Sequence, residues 1–166
     1  MTLSEELKEM AIALGACDKV VSQWTGNESI DQLMEMYWRK GSDFCVDKNF
    51  PPIDFMRKNM RSIGLQCFGV YFDEEFDVMN PAHLALYEGA NGTAFYGQYV
   101  TGDVYLFSGS ELNIICNEHS FVYVSLQPGS KLHIAAHPSS AKIGISNFGG
   151  TITGDLTNVR IHNKNK

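Results

Sequence analysis

The feature that most constrains this chain is a ten-residue repeat in its second half. Tracts beginning at Ser110 (SELNIIC), Ser120 (SFVYVSL), Ser130 (SKLHIAA) and Ala141 (AKIGISN) follow one another at spacings of ten, ten and eleven residues. Within each, apolar and polar residues alternate, the period-two pattern of a half-buried strand. One face collects Leu112, Val122, Leu132 and Ile143, then Ile114, Val124, Ile134 and Ile145, then Cys116, Leu126, Ala136 and Asn147. The linkers NEH, QPG and HPSS supply the Pro, Gly, Asn and Ser that turns demand. Weaker copies at Gly92 (GTAFY), Gly102 (GDVYLF) and Asn158 (NVRIH) extend the series both ways.

A repeat this short predicts a β-solenoid of the β-helix-like kind, with a β-sandwich or jelly roll as the alternative, since regular hairpins alternate in the same way. The outward residues discriminate between them. If two units make one flattened coil, units two apart become neighbours, and Glu111 lies beside Lys131 and Asn113 beside His133. On the other side Tyr105 and Phe107 would then lie beside Phe121 and Tyr123. Sequential hairpins would instead set Glu111 near Phe121 and Asn113 near Tyr123. Cross-strand pairing of opposite charges and of like residues favours the solenoid.

The first sixty residues carry helical signals. Thr2 with Glu5 fits a capping box, and Leu3, Leu7, Met10 and Leu14 share one face before Gly15 stops the helix. Ser29 with Gln32 repeats the box ahead of Ile30, Leu33, Met34, Tyr37 and Trp38, with a stop expected at Gly41. Pro51 and Pro52 break the chain after a short segment around Phe44, and Pro52 suits the first turn of a third helix carrying Ile53, Phe55, Met56 and Met60. The predicted class is therefore α+β, with a helical N-terminal segment over 1–61 and a β-repeat domain over 62–166.

Charge and cysteine usage narrow the function classes. Between Ser62 and Ser130 there is no Lys or Arg, while Asp73, Glu74, Glu75, Asp77, Glu88, Asp103, Glu111 and Glu118 all fall there. Such a segment repels phosphates, so no nucleic-acid partner is expected. Cys17, Cys45, Cys67 and Cys116 form no C-x-x-C pair and are expected as free thiols of a reducing compartment. The acidic opening MTLSEELKEM lacks the regions of a signal peptide, and no run approaches the roughly 18 apolar residues of a membrane helix. No membrane partner is expected, and the expected location is the cytoplasm of the producing cell or a virion assembled there.

Candidate chemical sites are weak. His133 and His137 are four apart, but that spacing converges on a metal when both lie on one helix face, and here a strand and Pro138 intervene. Asp73, Glu74, Glu75 and Asp77 would supply carboxylates for glycoside hydrolysis or calcium, yet lack the glycine-punctuated spacing of a calcium loop. Gly89-Ala-Asn-Gly92 and Gly149-Gly150 precede no helix and so are not phosphate loops. Ser110, Ser120 and Ser130 recur as strand starters, whereas a nucleophile would be singular and paired with a base. No catalytic residue, cofactor or metal is expected. The surface feature that stands out is aromatic: in the solenoid register Tyr105, Phe107, Phe121 and Tyr123 point outward as a candidate interaction surface. Either the N-terminal helices, with Trp24 and Trp38, or a protein partner or second copy would cover it.

The helical lead with its NFPPIDFMRK segment, then GVYFDE, then the repeated tracts SELNIIC, SFVYVSL, SKLHIAA and AKIGISN, resembles a group of small uncharacterised proteins of phages, prophages and mobile elements of gut bacteria. The resemblance covers most of the chain. It implies a mobile-element setting and carries over no functional residue. Two expectations of different class follow: a non-enzymatic structural or interaction protein that displays a binding surface, or a carbohydrate-binding or carbohydrate-active β protein whose aromatics stack on sugars.

Overall fold

The computed structural model describes residues 1–164, which form two compact units, Met1–Leu65 and a second beginning at Gln66. The first unit is helical: α1 (Leu3–Ala13), α2 (Asp18–Val21), α3 (Ile30–Met36), α4 (Ser42–Lys48) and α5 (Ile53–Asn59). Both capping boxes form, with the Thr2 and Ser29 side chains accepting from the backbone N–H of Glu5 and Gln32. Trp24 is buried, and its indole Nε1 donates to Ser4 Oγ at 2.8 Å, which in turn donates to Glu28 Oε2 at 2.5 Å.

Two details depart from expectation. Asp18–Val21 forms a short helix that its four residues could not signal by periodicity. Gly41 does not stop the second helix. Tyr37–Gly41 is a π-helical turn leading directly into α4, and the run ends at Asn49, whose φ of 51° lies in the left-handed region. One wide turn lets glycine stay inside a helical path, and the left-handed Asn takes over as terminator.

The second unit is a β-solenoid. Sheet A holds β1 (Val70–Tyr71), β3 (His83–Leu86), β5 (Thr101–Leu106), β7 (Phe121–Leu126), β9 (Lys142–Asn147) and β11 (Val159–Asn163), in that order. Sheet B holds β2 (Glu75–Met79), β4 (Asn91–Tyr96), β6 (Glu111–Cys116), β8 (Lys131–Ile134) and β10 (Thr151–Gly154). Every pairing is parallel, and successive strands alternate between sheets, so one coil takes two repeats. Sequential hairpins would have been antiparallel, which excludes the sandwich and jelly-roll alternatives. The expected neighbours Glu111–Lys131 and Asn113–His133 are in register, and Lys131 Nζ reaches Glu111 Oε1 at 2.6 Å.

Inward side chains of both sheets meet in one core, where Leu84, Ala94, Leu106, Ile114, Val122, Val124, Leu126 and Ile145 are fully buried. Turns repeat as strictly as strands. The hydroxyls of Ser110, Ser120 and Ser130 are turned inward and donate to the carbonyls of Phe107, Asn117 and Gln127 at 2.6, 2.8 and 2.5 Å. This satisfies a buried hydroxyl and closes each turn at once, which is why serine recurs at the start of a strand.

The outward register on sheet A differs from the expected one. Phe121 pairs with Thr101 and Tyr123 with Asp103, while Tyr105 lies beside Ser125. Phe107 falls beyond the end of β5 and is buried, its ring stacked on Tyr87 at 4.0 Å. The reason lies at Gly92 and Gly102, which occupy the inward positions matching Leu112 and Val122. A Cβ at Gly92 would meet the Phe76 ring at 2.7 Å, and one at Gly102 the Tyr96 ring at 2.4 Å. Rings from neighbouring positions fill the space that a repeat aliphatic would take, which hides these copies from a pattern of apolar residues. The expected inward positions of Ala136 and Asn147 also fail. β8 ends at Ile134, leaving Ala136 exposed, and the Asn147 carboxamide oxygen accepts from the N–H of Gly149 and Gly150 at 3.0 and 2.8 Å.

Two outcomes follow. Ile134→Ala should lower unfolding free energy by about 2–4 kcal/mol in a denaturant titration, whereas His133→Ala, one residue along and exposed, should cost under about 1 kcal/mol. Tyr96 places its hydroxyl in the core with no hydrogen-bond partner among the described residues, and burial pushes its phenol pKa well up. Tyr96→Phe should therefore stabilise the solenoid by about 1 kcal/mol, and a lowered denaturation midpoint would show that the hydroxyl is satisfied.

Candidate interaction edge

The solenoid has two long edges, and their residues differ in kind. Where sheet A passes to sheet B, the turns place Gly89, Gly109 and Gly129 at φ of 80°. Glycine adopts this left-handed conformation without a steric penalty, as the third position of a type II turn requires. Bulk is excluded there as well: a Cβ at Gly109 would meet the Glu88 side chain at 2.7 Å, and one at Gly129 the Ser108 hydroxyl at 2.6 Å.

Where sheet B passes to sheet A, the equivalent positions are Tyr99, His119 and Asn158, at φ of 62°, 57° and 60°. Asn tolerates this region, but a tyrosine there costs about 1 kcal/mol or more. The Tyr99 and His119 rings stack in parallel across adjacent coils, with centroids 5.1 Å apart and planes 4° apart. The His119 N–H is received by Ser140 Oγ at 3.1 Å in the next turn, where the eleven-residue spacing inserts its extra residue.

Exposed apolar surface concentrates on this same edge. Among the described residues of the solenoid, the large apolar side chains classed as exposed are Met79 and Tyr99 at 71%, Phe121 at 47% and Leu156 at 43%. Each lies in a turn of this edge or one residue from it. Scattered exposure of single apolar residues is ordinary on a protein surface, but alignment of all of them along one edge is not.

Of the four aromatics expected to form a surface, only Phe121 belongs to this edge. Tyr105 and Tyr123 are half-buried on the outer face of sheet A, with the Tyr123 ring lying against Gly144 and its hydroxyl in a short contact with Ser146 Oγ. Phe107 is interior, at the opposite edge. The residues missed by sequence reasoning are Met79, Tyr99, His119 and Leu156. Tyr99 and His119 did carry a signal, since each stands ten residues after a turn glycine, Gly89 and Gly109, in turns where glycine is the natural choice.

The other candidates do not assemble. His133 Nδ1 lies 2.9 Å from Thr153 Oγ1, and His137 faces the carbonyls of Ala135 and Thr157 at 3.2 and 2.9 Å with Asp155 at 3.6 Å. No group of three potential metal ligands converges among the described residues. The acidic run disperses: Glu74 binds Gln66 at 3.0 Å, while Glu75 and Asp77 point outward from β2. All four cysteines are free, and burial pushes the Cys45 thiol up to about 12 and raises that of Cys116. A cleft of about 400 Å³ in the helical unit is lined by Gln23, Thr25, Glu28, Gln32, Arg39 and Lys40. Its charges are answered from within, by Arg39 to Glu35 at 2.9 Å, Lys40 to Gln23, and Glu28 to Ser4 and Thr25. No described helix is long and apolar enough to cross a membrane.

No protein-family model matches this chain, and neither does any curated protein or solved structure.

The contrast between the edges sets a stability test. Tyr99→Gly relieves the left-handed backbone and forfeits a ring stack of about 0.5–1.5 kcal/mol, so the two effects offset and the denaturation midpoint should hardly move. Gly109→Tyr imposes the same conformation where Glu88 leaves no room, and should destabilise by well over 1 kcal/mol. Equal losses from both would mean that Tyr99 is held for the fold alone.

Proposed function

We propose that this chain is a non-enzymatic structural or interaction protein whose solenoid presents the edge bearing Met79, Tyr99, His119, Phe121 and Leu156 to a protein partner. The single observation that carries the reading is the placement of Tyr99 and His119 in left-handed turns, where the opposite edge uses glycine. Backbone strain kept at an exposed position points to a role outside the fold. Rigid aromatic side chains on a fixed scaffold suit protein recognition, because they bring contact area at a small cost in conformational freedom. The sequence resemblance described above supports a phage or mobile-element setting.

The carbohydrate reading draws less support. A sugar stacks on the flat face of a ring, and the Tyr99 and His119 rings turn a face toward each other. Phe107, one of the aromatics that would have built the platform, is buried.

Photo-crosslinking in the producing cells tests the proposal. A photoreactive residue at position 99 or 121 should yield one discrete protein adduct, and the same residue at 109 or 129 none. Adducts from the glycine edge alone, or from neither edge, would sink the reading.

A further inference from the structure

Charge divides the solenoid along its axis. The coils up to Ser130 carry eight carboxylates and no Lys or Arg, whereas among the described residues beyond it Lys131, Lys142, Arg160 and Lys164 stand against Asp155 alone. A surface that is acidic toward one end and basic toward the other is complementary to itself when a copy is turned end for end, and repels itself when copies lie parallel.

The exposed edge adds a complementarity of its own at the levels flanking its middle. Going down the coils, the edge presents Met79, then Tyr99 with Asp103 two residues inside the edge position Thr101, then Glu118, His119 and Phe121, then Pro138 with Lys142, and finally Asp155 with Leu156. Thr101, Phe121 and Lys142 stand in register on three consecutive coils, with Asp103 beside Tyr123. Place a two-fold axis across the edge at the level of Phe121. Each Phe121 then meets its own copy with the Glu118 carboxylates at the same central level, Asp103 comes to the level of the partner's Lys142, and Met79 to that of the partner's Leu156. The axis keeps the sheet A side of one copy against the sheet A side of the other, where Asp103 and Lys142 both stand exposed.

We infer that this edge docks a second copy of the chain, antiparallel, about a two-fold axis at Phe121, with Asp103–Lys142 ion pairs flanking the apolar contact on both sides. The inference rests on the reading of the edge as an interaction surface and names its partner. The five levels span about 19 Å at the spacing between neighbouring strands, so the interface is small and the dimer weak, with a dissociation constant of about micromolar order.

Sedimentation equilibrium of the purified full chain over a range reaching about 1 mM, the weak limit of specific association, tests it. A monomer–dimer equilibrium is expected. Asp103→Lys alone and Lys142→Asp alone should each weaken dimerisation at least about tenfold, because like charges then face each other across the interface. The double variant carrying both changes should dimerise within about threefold of the parent, since the swap recreates the pairs. Phe121→Ser should weaken the dimer with an unchanged far-UV circular dichroism spectrum, which separates loss of contact from loss of fold. A monomer at every concentration, an open series of higher oligomers indicating end-to-end stacking, or a double variant no better than either single one would each overturn the inference. If the chain stays monomeric while position 99 or 121 crosslinks a different protein in cells, the inference fails and the interaction reading stands.

Discussion

Parallel, in-register stacking of one coil on the next is the constraint from which the rest of this solenoid follows. Each backbone N–H and C=O of an inner strand is satisfied by the coil above or below, so no strand between Thr101 and Leu126 can shift without breaking a row on both sides. The inward side chains inherit that register. Val104, Val124 and Ile145 sit one above another, as do Ala94, Ile114 and Ile134. Each buried Val or Ile among them stabilises by roughly 1.5–3 kcal/mol, comparable with the cost of ordering the residue, so a coil gains its stability from its neighbours.

Stacking also fixes the coil length, and the turns enforce it. A buried serine whose hydroxyl closes its own turn leaves no room for an insertion at Ser108–Ser110 or Pro128–Ser130. Where the repeat does lengthen, between Ile134 and Ala141, the turn opens outward at the exposed edge. Ser140 and His137 then spend their side chains on neighbouring turns rather than on the core. Irregularity is absorbed on the edge that also carries the left-handed Tyr99 and His119 and the exposed apolar side chains. One edge is thereby closely packed, and the other carries the exposed apolar side chains.

The substitutions of ring for aliphatic show how tolerant the interior is when volume is kept. Gly92 and Gly102 look like gaps in the repeat, but Phe76 and Tyr96 extend into the space, and the core remains continuous through the first coils. The accommodation leaves the Tyr96 hydroxyl unpartnered, a cost that an aliphatic at position 102 would not incur. Charge follows the same axial order as the stacking. Acidic residues gather in the early coils and basic ones in the late coils, so the edge that displays apolar side chains also carries an electrostatic direction.

The sequence by itself determined the period of the repeat, the first two inward residues of each of its four clear tracts, the capped starts of α1 and α3, and the pairing of Glu111 with Lys131. These are local or strictly periodic signals, and a period of two or ten survives without knowledge of what lies across the core. Tertiary structure alone decided the register of the weaker copies, because at Gly92 and Gly102 the filling group comes from a different position in the chain. It also moved Phe107 inside, where Tyr87 of the preceding coil supplies a stacking partner that no neighbour in sequence could reveal. The candidate edge was legible only in part. Phe121 could be read as outward from alternation, but Met79, Tyr99 and Leu156 are 20 to 77 residues apart in sequence, and only the closing of each coil brings them onto one line.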